Sequence, residues 1–217
     1  MKSISSKKLK GNIIIPGDKS ISHRLVILSS ISIGKSTIKG ILKSDDIMRS
    51  INAMRSFGAS IDFISSNNCV IRGIGLGGLE EPKSALDFGN SGTSARLIMG
   101  LSSTHPITTI FIGDDSLSMR PMKRVVKPLL NFGSNSSLRK DNFLPLILKG
   151  TDNSIPFNFK LSEPSAQIKS AVLLGALNTP GVTSVIDKFN TRDHTEKLLS
   201  LYAVSYTHLT LPTTGIV

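Results

Sequence analysis

Lys19, Ser20 and Arg24 place an ammonium, a hydroxyl and a guanidinium directly after the turn Gly17-Asp18. These groups bind anions. A guanidinium forks onto a carboxylate or phosphate, and an ammonium acts as a point charge. The apolar run Ile13-Ile14-Ile15 stops at Pro16, and Leu25, Val26 and Leu28 begin a helical pattern. A strand is therefore expected to run into a helix whose first turns carry the three side chains. Unpaired backbone N–H groups at such a start also attract negative charge. The bland reading of this stretch by itself is a solvated helix start on a basic protein.

The arrangement recurs at near-constant spacing. Gly89-Asn90-Ser91-Gly92-Thr93 follows Leu86-Asp87-Phe88 and opens a pattern with Ala95, Leu97, Ile98, Met99 and Leu101 apolar and Arg96 in its first turns. Ser162-Glu163-Pro164-Ser165-Ala166-Gln167 follows Phe157-Asn158-Phe159-Lys160-Leu161 and opens a third, with Ile168, Ala171, Val172, Leu173 and Leu174. Three such helix starts on one face would suit a ligand with more than one acidic group.

A second set of helices alternates with the first. Ser44-Asp45-Asp46 reads as a cap with first-turn acids. Its helix carries Ile47, Met48, Ile51 and Met54 to a stop at Phe57-Gly58. Met119-Arg120-Pro121-Met122 opens a matching helix to Phe132-Gly133, with Pro121 suited to a first turn. Arg192-Asp193-His194-Thr195-Glu196 opens another through Leu198 and Leu199. Strand pairs are expected after the first two stops. Ile61-Asp62-Phe63 should face Cys69-Val70-Ile71 across Asn67-Asn68, and Ser137-Leu138 should face Leu144 to Leu148 across Asp141-Asn142. The fold class is α/β (α+β), built of βαβαββ repeats, two complete and a third truncated.

Composition narrows the function classes. The chain has 217 residues with 26 Lys and Arg against 15 Asp and Glu, a formal charge of +11. Anionic metabolites fit this excess better than nucleic acid. There is no basic block, and aromatic residues are only 5%, too few for base-stacking surfaces. The single Cys69 excludes a disulfide framework and a multi-cysteine zinc site, and its alternating context predicts a packed core thiol. No apolar run approaches the ~18 residues of a membrane span, and the basic stretch Met1 to Lys10 has no apolar centre of a secretory signal. A cytoplasmic setting is expected.

Five runs in order carry a family resemblance. They are Gly17-Asp18-Lys19-Ser20-Ile21-Ser22-His23-Arg24, Asn90-Ser91-Gly92-Thr93, Ser118-Met119-Arg120-Pro121-Met122, Ser165-Ala166-Gln167-Ile168-Lys169-Ser170-Ala171 and Arg192-Asp193-His194-Thr195-Glu196. Together, from about Leu9 to about Leu201, they resemble the 5-enolpyruvylshikimate-3-phosphate (EPSP) synthase family, in its class II bacterial form. The resemblance implies transfer of the enolpyruvyl group of phosphoenolpyruvate to the 5-hydroxyl of shikimate 3-phosphate, in aromatic amino acid (chorismate) biosynthesis. It also implies no metal or organic cofactor, a tetrahedral adduct that releases phosphate, and a monomeric full-length protein.

The resemblance assigns roles by position. Lys19, the catalytic candidate, would contact phosphoenolpyruvate and its departing phosphate, and also shikimate 3-phosphate. Ser20 and Arg24 would hold the shikimate carboxylate. Ser165, Ala166, Gln167 and Arg192 would help hold shikimate 3-phosphate. Gly92 through its backbone, with Arg120 and Gln167, would complete the phosphoenolpyruvate phosphate pocket, which the inhibitor glyphosate shares. Ala166 stands where many members carry a hydroxyl, so one phosphate contact is expected to fall to backbone N–H.

Members of that family are about twice as long, with further arginines and proton-handling carboxylates in a second domain. This chain is therefore expected to be an N-terminal half, inactive alone. Residues 1–12 are expected to pack on the second domain and residues 13–203 to form the incomplete first domain. Residues 204–217 leave the pattern and read as translated sequencing adaptor. Two other readings stay open: a UDP-N-acetylglucosamine enolpyruvyl transferase, which typically has Asn after the first-loop lysine where this chain has Ser20, and a non-catalytic anion-binding half-protein.

Overall fold

Three helices lead the three repeats, and their sequences explain why they sit inside. The computed structural model describes residues 10–13 and 15–202, and the expected non-native tail at 204–217 lies outside them. Helix α1 spans Lys19–Ile31, α3 Gly92–Ser102 and α6 Ala166–Ala176. In α3 every residue but Thr93 is buried, and α6 is buried from Ile168 to Ala176. A helix apolar on all sides belongs in an interior. Each fully buried Leu, Ile or Val there contributes about 1.5–3 kcal/mol. Two buried hydroxyls bond within their own helices: Ser30 donates to Val26 O at 2.7 Å and Ser102 to Ile98 O at 2.9 Å.

Helices α3 and α6 touch backbone to backbone. A Cβ at Gly100 would lie 2.1 Å from Ala171 O, and one at Gly175 would lie 3.0 Å from Gly100 O. Only glycine permits that approach.

The sheets wall this interior and repeat one plan. Strands β1 (Ile33–Lys39), β2 (Ser60–Ser65) and β3 (Asn68–Ile74) form an antiparallel sheet ordered β1-β3-β2. Strands β4 (Leu86–Asp87), β5 (Thr108–Ile112), β6 (Asn135–Arg139) and β7 (Phe143–Lys149) form the second, ordered β4-β5-β7-β6, with β4 parallel to β5. Strands β8 (Asn158–Lys160) and β9 (Ser184–Ile186) pair in parallel, as β4 and β5 do. The expected registers hold: Ile61 faces Ile71, Phe63 faces Cys69, and Leu138 faces Leu146. Cys69 is fully buried.

Helices α2 (Asp45–Ser56), α5 (Lys123–Leu129) and α7 (His194–Tyr202) are the second helices of the repeats, and a short α4 (Asp115–Ser118) precedes α5. One continuous apolar cluster joins residues of all three repeats, from Val26 to Leu199. No helix among the described residues is long and apolar enough to cross a membrane.

Two expectations need correction. Ile13 and Ile15 are not assigned to a strand among the described residues, and they are 88% and 82% exposed. The first repeat is therefore αβαββ among the described residues. Met119 to Met122 opens its helix only at the last residue, Met122, which is the N-cap of α5, so Pro121 lies before the first turn and not in it. Asp114 caps the short α4 by accepting from Leu117 N at 2.7 Å, the chain breaks at Met119–Pro121, and α5 begins only at Lys123.

Candidate anion-binding site

Asp18, Ser91 and Ser165 cap α1, α3 and α6, each accepting a backbone N–H three residues on: Ile21 N at 2.8 Å, Ser94 N at 3.4 Å and Ile168 N at 3.3 Å. This is ordinary N-cap chemistry, which leaves the first-turn side chains free to interact across helices.

They do so in a chain of contacts. Lys19 Nζ lies 2.5 Å from Asp46 Oδ2 in the first turn of α2. Asp46 is also hydrogen-bonded by Ser91, the α3 cap. Burial works against the Asp46 carboxylate, but the hydrogen bonds of Lys19 and Ser91 and the Lys19 charge hold its carboxyl below the usual range. From α3, Arg96 Nη1 donates to Gln167 Oε1 at 2.9 Å, and Gln167 Nε2 donates to Thr93 Oγ1 at 2.9 Å, tying the first turns of α3 and α6. Arg192, exposed before α7, reaches back to Ser20 Oγ at 3.4 Å.

Arg120 enters from the break between α4 and α5. Its Nη2 donates to Asn90 Oδ1, in the loop before α3, and to Ser116 Oγ at 3.1 Å. A Cβ at Gly92 would sit 3.4 Å from Arg120 Nη1 and 2.6 Å from Arg96 Nη1. Gly92 thus lies between two guanidinium groups. Ala166 is the first residue of α6 and Gln167 the second, both half-buried.

Arg24 is placed differently from the open ligand contact its spacing suggests. It is 4% exposed and faces inward. Its Nε donates to Thr195 Oγ1 at 2.6 Å, Nη2 to Ser170 Oγ at 2.7 Å and Nη1 to Ser20 O at 2.9 Å. Arg24 joins α1, α6 and α7, and two of its five N–H groups remain for other acceptors. Burial pushes its pKa down; Glu196 opposes that, and Arg192 adds to it.

Two residues without an assigned role belong here. Arg96 is 4% exposed, and among the described residues no carboxylate lies within ion-pair distance of it. Its Nε is buried without a partner. Burial, with Arg124 and Arg120 adding repulsion, lowers its pKa to about 10. A buried cation facing other cations is costly unless an anion joins it. Its position one turn after Gly92, on the same helix face, was the available signal. Asp46 is the second, and its pairing with Lys19 is tertiary. Behind them His23 is fully buried, with Nδ1 2.7 Å from Ser50 Oγ, which contacts Ser94 Oγ at 2.7 Å. Burial lowers its pKa to about 4; Asp46 opposes this, and Lys19 and Arg24 reinforce it.

Lys19, Arg96, Arg120 and Arg192 therefore gather at three helix starts, with Lys19 paired to Asp46. Chemically this is a receptor for a multiply charged anion.

Comparisons with known proteins identify the family. Residues 4–210 match the sequence profile of EPSP synthase (3-phosphoshikimate 1-carboxyvinyltransferase). The chain is 48% identical over 199 residues to the 3-phosphoshikimate 1-carboxyvinyltransferase of Novosphingobium aromaticivorans, covering 92% of this chain and 45% of that protein. It is 49% identical over 200 residues to that of a Chelativorans species, covering 92% and 44%. The solved EPSP synthase of Acinetobacter baumannii superposes with a TM-score of 0.84 at 38% identity, over 88% of this chain and 43% of that one. The chain spans a little under half the length of the curated relatives it matches.

Proposed function

The chain belongs to the EPSP synthase family, and on that premise we propose that it forms the wall of an active site that binds shikimate 3-phosphate and phosphoenolpyruvate. The reaction joins the 5-hydroxyl oxygen of shikimate 3-phosphate to C2 of phosphoenolpyruvate while C3 takes a proton. The tetrahedral adduct then loses phosphate and a C3 proton, leaving the enolpyruvyl ether. Developing charge on the departing phosphate is what the protein must stabilise.

The observation that carries this reading is the contact network joining the first turns of α1, α3 and α6, with a buried cation, Arg96, that no carboxylate pairs among the described residues. Arg120, Gln167 and the Gly92 backbone take the phosphoenolpyruvate phosphate, with Lys19 on the departing phosphate as the catalytic cation. Ser20, Arg24 and Arg192 take the shikimate carboxylate end, and Ser165, Ala166 and Gln167 the rest of shikimate 3-phosphate. Asp46 holds Lys19 aimed at the site until an anion displaces it. The full-length protein acts as a monomer in the cytoplasm, and residues 13–203 supply its first domain.

Calorimetric titration tests this. Shikimate 3-phosphate should bind this chain and UDP-N-acetylglucosamine should not. Preference for the sugar nucleotide would assign the site to the other enolpyruvyl transferase class, and binding of neither would refute the substrate reading. Phosphate release from both substrates is expected when the chain is joined to the second half of a relative. Turnover by the 217-residue chain alone would show that the chemistry resides in residues given only binding roles here.

A further inference from the structure

Lys169 and Glu196 stand in the two motifs Ser165 to Ala171 and Arg192 to Glu196, yet neither side chain bonds to Lys19, Arg96, Arg120 or Arg192. They face each other. Lys169 Nζ lies 2.7 Å from Glu196 Oε1, 2.9 Å from Asp187 Oδ2 and 3.1 Å from Thr191 O. Three acceptors match the three N–H bonds of an ammonium. The side chains of Lys169, Asp187 and Glu196 are only 6%, 13% and 16% exposed.

Asp187 in turn winds the chain around itself. Its Oδ1 accepts Phe189 N at 2.9 Å, and its Oδ2 accepts Thr191 N at 2.9 Å and Thr191 Oγ1 at 2.6 Å. Within that turn Asn190 takes a positive φ of 50°. Arg192 follows immediately. Its backbone is fixed on one side by Thr191, held by Asp187 and Lys169, and on the other by α7, held through Glu196. Both anchors end on one buried nitrogen.

We propose that Lys169, Asp187 and Glu196 are positioning residues for Arg192, setting the reach of its guanidinium toward Ser20 and so the affinity for the carboxylate end of the substrate. This rests on the assignment of shikimate 3-phosphate to the site. A buried ion triad is a poor way to gain stability, since apolar side chains of similar volume serve as well or better. It is a good way to fix a loop, because each hydrogen bond has direction. Burial disfavours the Lys169 charge, but its hydrogen bonds to Glu196 and Asp187 outweigh that and keep it protonated.

The test uses this chain as wild type, Lys169→Met and Asp187→Asn, each with and without Arg192→Ala. Amide hydrogen exchange reports the loop directly. Exchange at Phe189 and Thr191 should quicken about tenfold or more in both variants, while amides of α3 keep their protection. Calorimetry reports the consequence. Each variant should weaken shikimate 3-phosphate by about tenfold, as Arg192→Ala does alone, and adding Arg192→Ala should then cost less than about twofold. Fully multiplicative losses would overturn the proposal, as would unchanged exchange at Phe189 and Thr191. Should either single variant fail to fold, Lys169→Met/Glu196→Gln removes one of the two stranded carboxylates, leaves Asp187 its bonds to Phe189 and Thr191, and gives the same readouts. If Arg192→Ala alone leaves shikimate 3-phosphate binding intact, the substrate reading fails, and the exchange data still decide whether the triad holds the loop.

Discussion

Gly92→Ala adds one methyl group at a calculable place. The new Cβ would lie 2.6 Å from Arg96 Nη1, against 3.4 Å from Arg120 Nη1 and from Leu117 Cδ1. Ordinary contacts begin near ~3.5 Å, so Arg96 Nη1 must retreat by roughly 1 Å while the other two need hardly move. That retreat breaks its bonds to Gln167 Oε1, now 2.9 Å, and to Gly92 O, now 3.2 Å. Losing a hydrogen bond from a charged donor costs about 1.5–3 kcal/mol. Replacing a helical glycine by alanine returns about 0.5–1 kcal/mol. With two such bonds lost, folding should therefore weaken by about 2–5 kcal/mol, and the phosphate pocket loses both its shape and the orientation of Gln167. Phosphoenolpyruvate affinity should fall about 10- to 100-fold, and glyphosate should lose affinity with it. The assay is calorimetric titration of both ligands with shikimate 3-phosphate present, on the chain joined to a relative's second half, alongside a thermal melt. Affinities within twofold of wild type in a folded variant would place the pocket away from Gly92.

Arg24→Ala removes three hydrogen bonds that join α1, α6 and α7, while Ser170 and Thr195 keep their own contact at 2.7 Å. It should destabilise by roughly 3 kcal/mol and lower the melting temperature by about 6–12 °C; an unshifted melt would contradict a structural role. Lys19→Ala and Arg120→Ala should weaken phosphoenolpyruvate use by about tenfold or more while changing shikimate 3-phosphate binding less, as steady-state kinetics on the joined protein would report. Equal losses for both substrates would refute that division. His23 stays neutral in the folded protein down to about pH 4 but titrates near 6.5 once unfolded, so stability falls as pH drops from 6.5 to 4, by up to about 3 kcal/mol. Urea melts across that range should show the decline, and His23→Gln should flatten it.

Strand pairing was legible in the sequence wherever a turn and an alternating pattern occurred together. Asn67-Asn68 between Phe63 and Cys69 is such a case, and the register follows from which side chains are buried. Ile13 and Ile15 belong to an unbroken apolar run with no polar alternation, and among the described residues neither is assigned to a strand. The break at Met119–Pro121 was hidden for a related reason. Pro121 suits a first helical turn, yet the side chain of Asp114 had already started a helix about two turns earlier. At the site the helix starts were readable as local signals. The inward turn of Arg24 was not, because its partners Ser170 and Thr195 lie far along the chain. The same holds for Lys19 with Asp46 and Arg96 with Gln167: the residue types were visible, the pairing is tertiary.

The contact of α3 with α6 at Gly100 and Ala171 bears on the thermodynamics of binding. With backbone against backbone and no room for a methyl group, neither helix can slide or rotate past the other without breaking the core. The first turns carrying Gly92, Thr93, Arg96 and Gln167 therefore sit at one end of a rigid pair. A phosphate arriving there orders almost nothing, so little of its contact enthalpy is offset by lost chain entropy at that wall. Any closing motion that accompanies binding must carry α3 and α6 together as one body, with its pivot elsewhere in the protein.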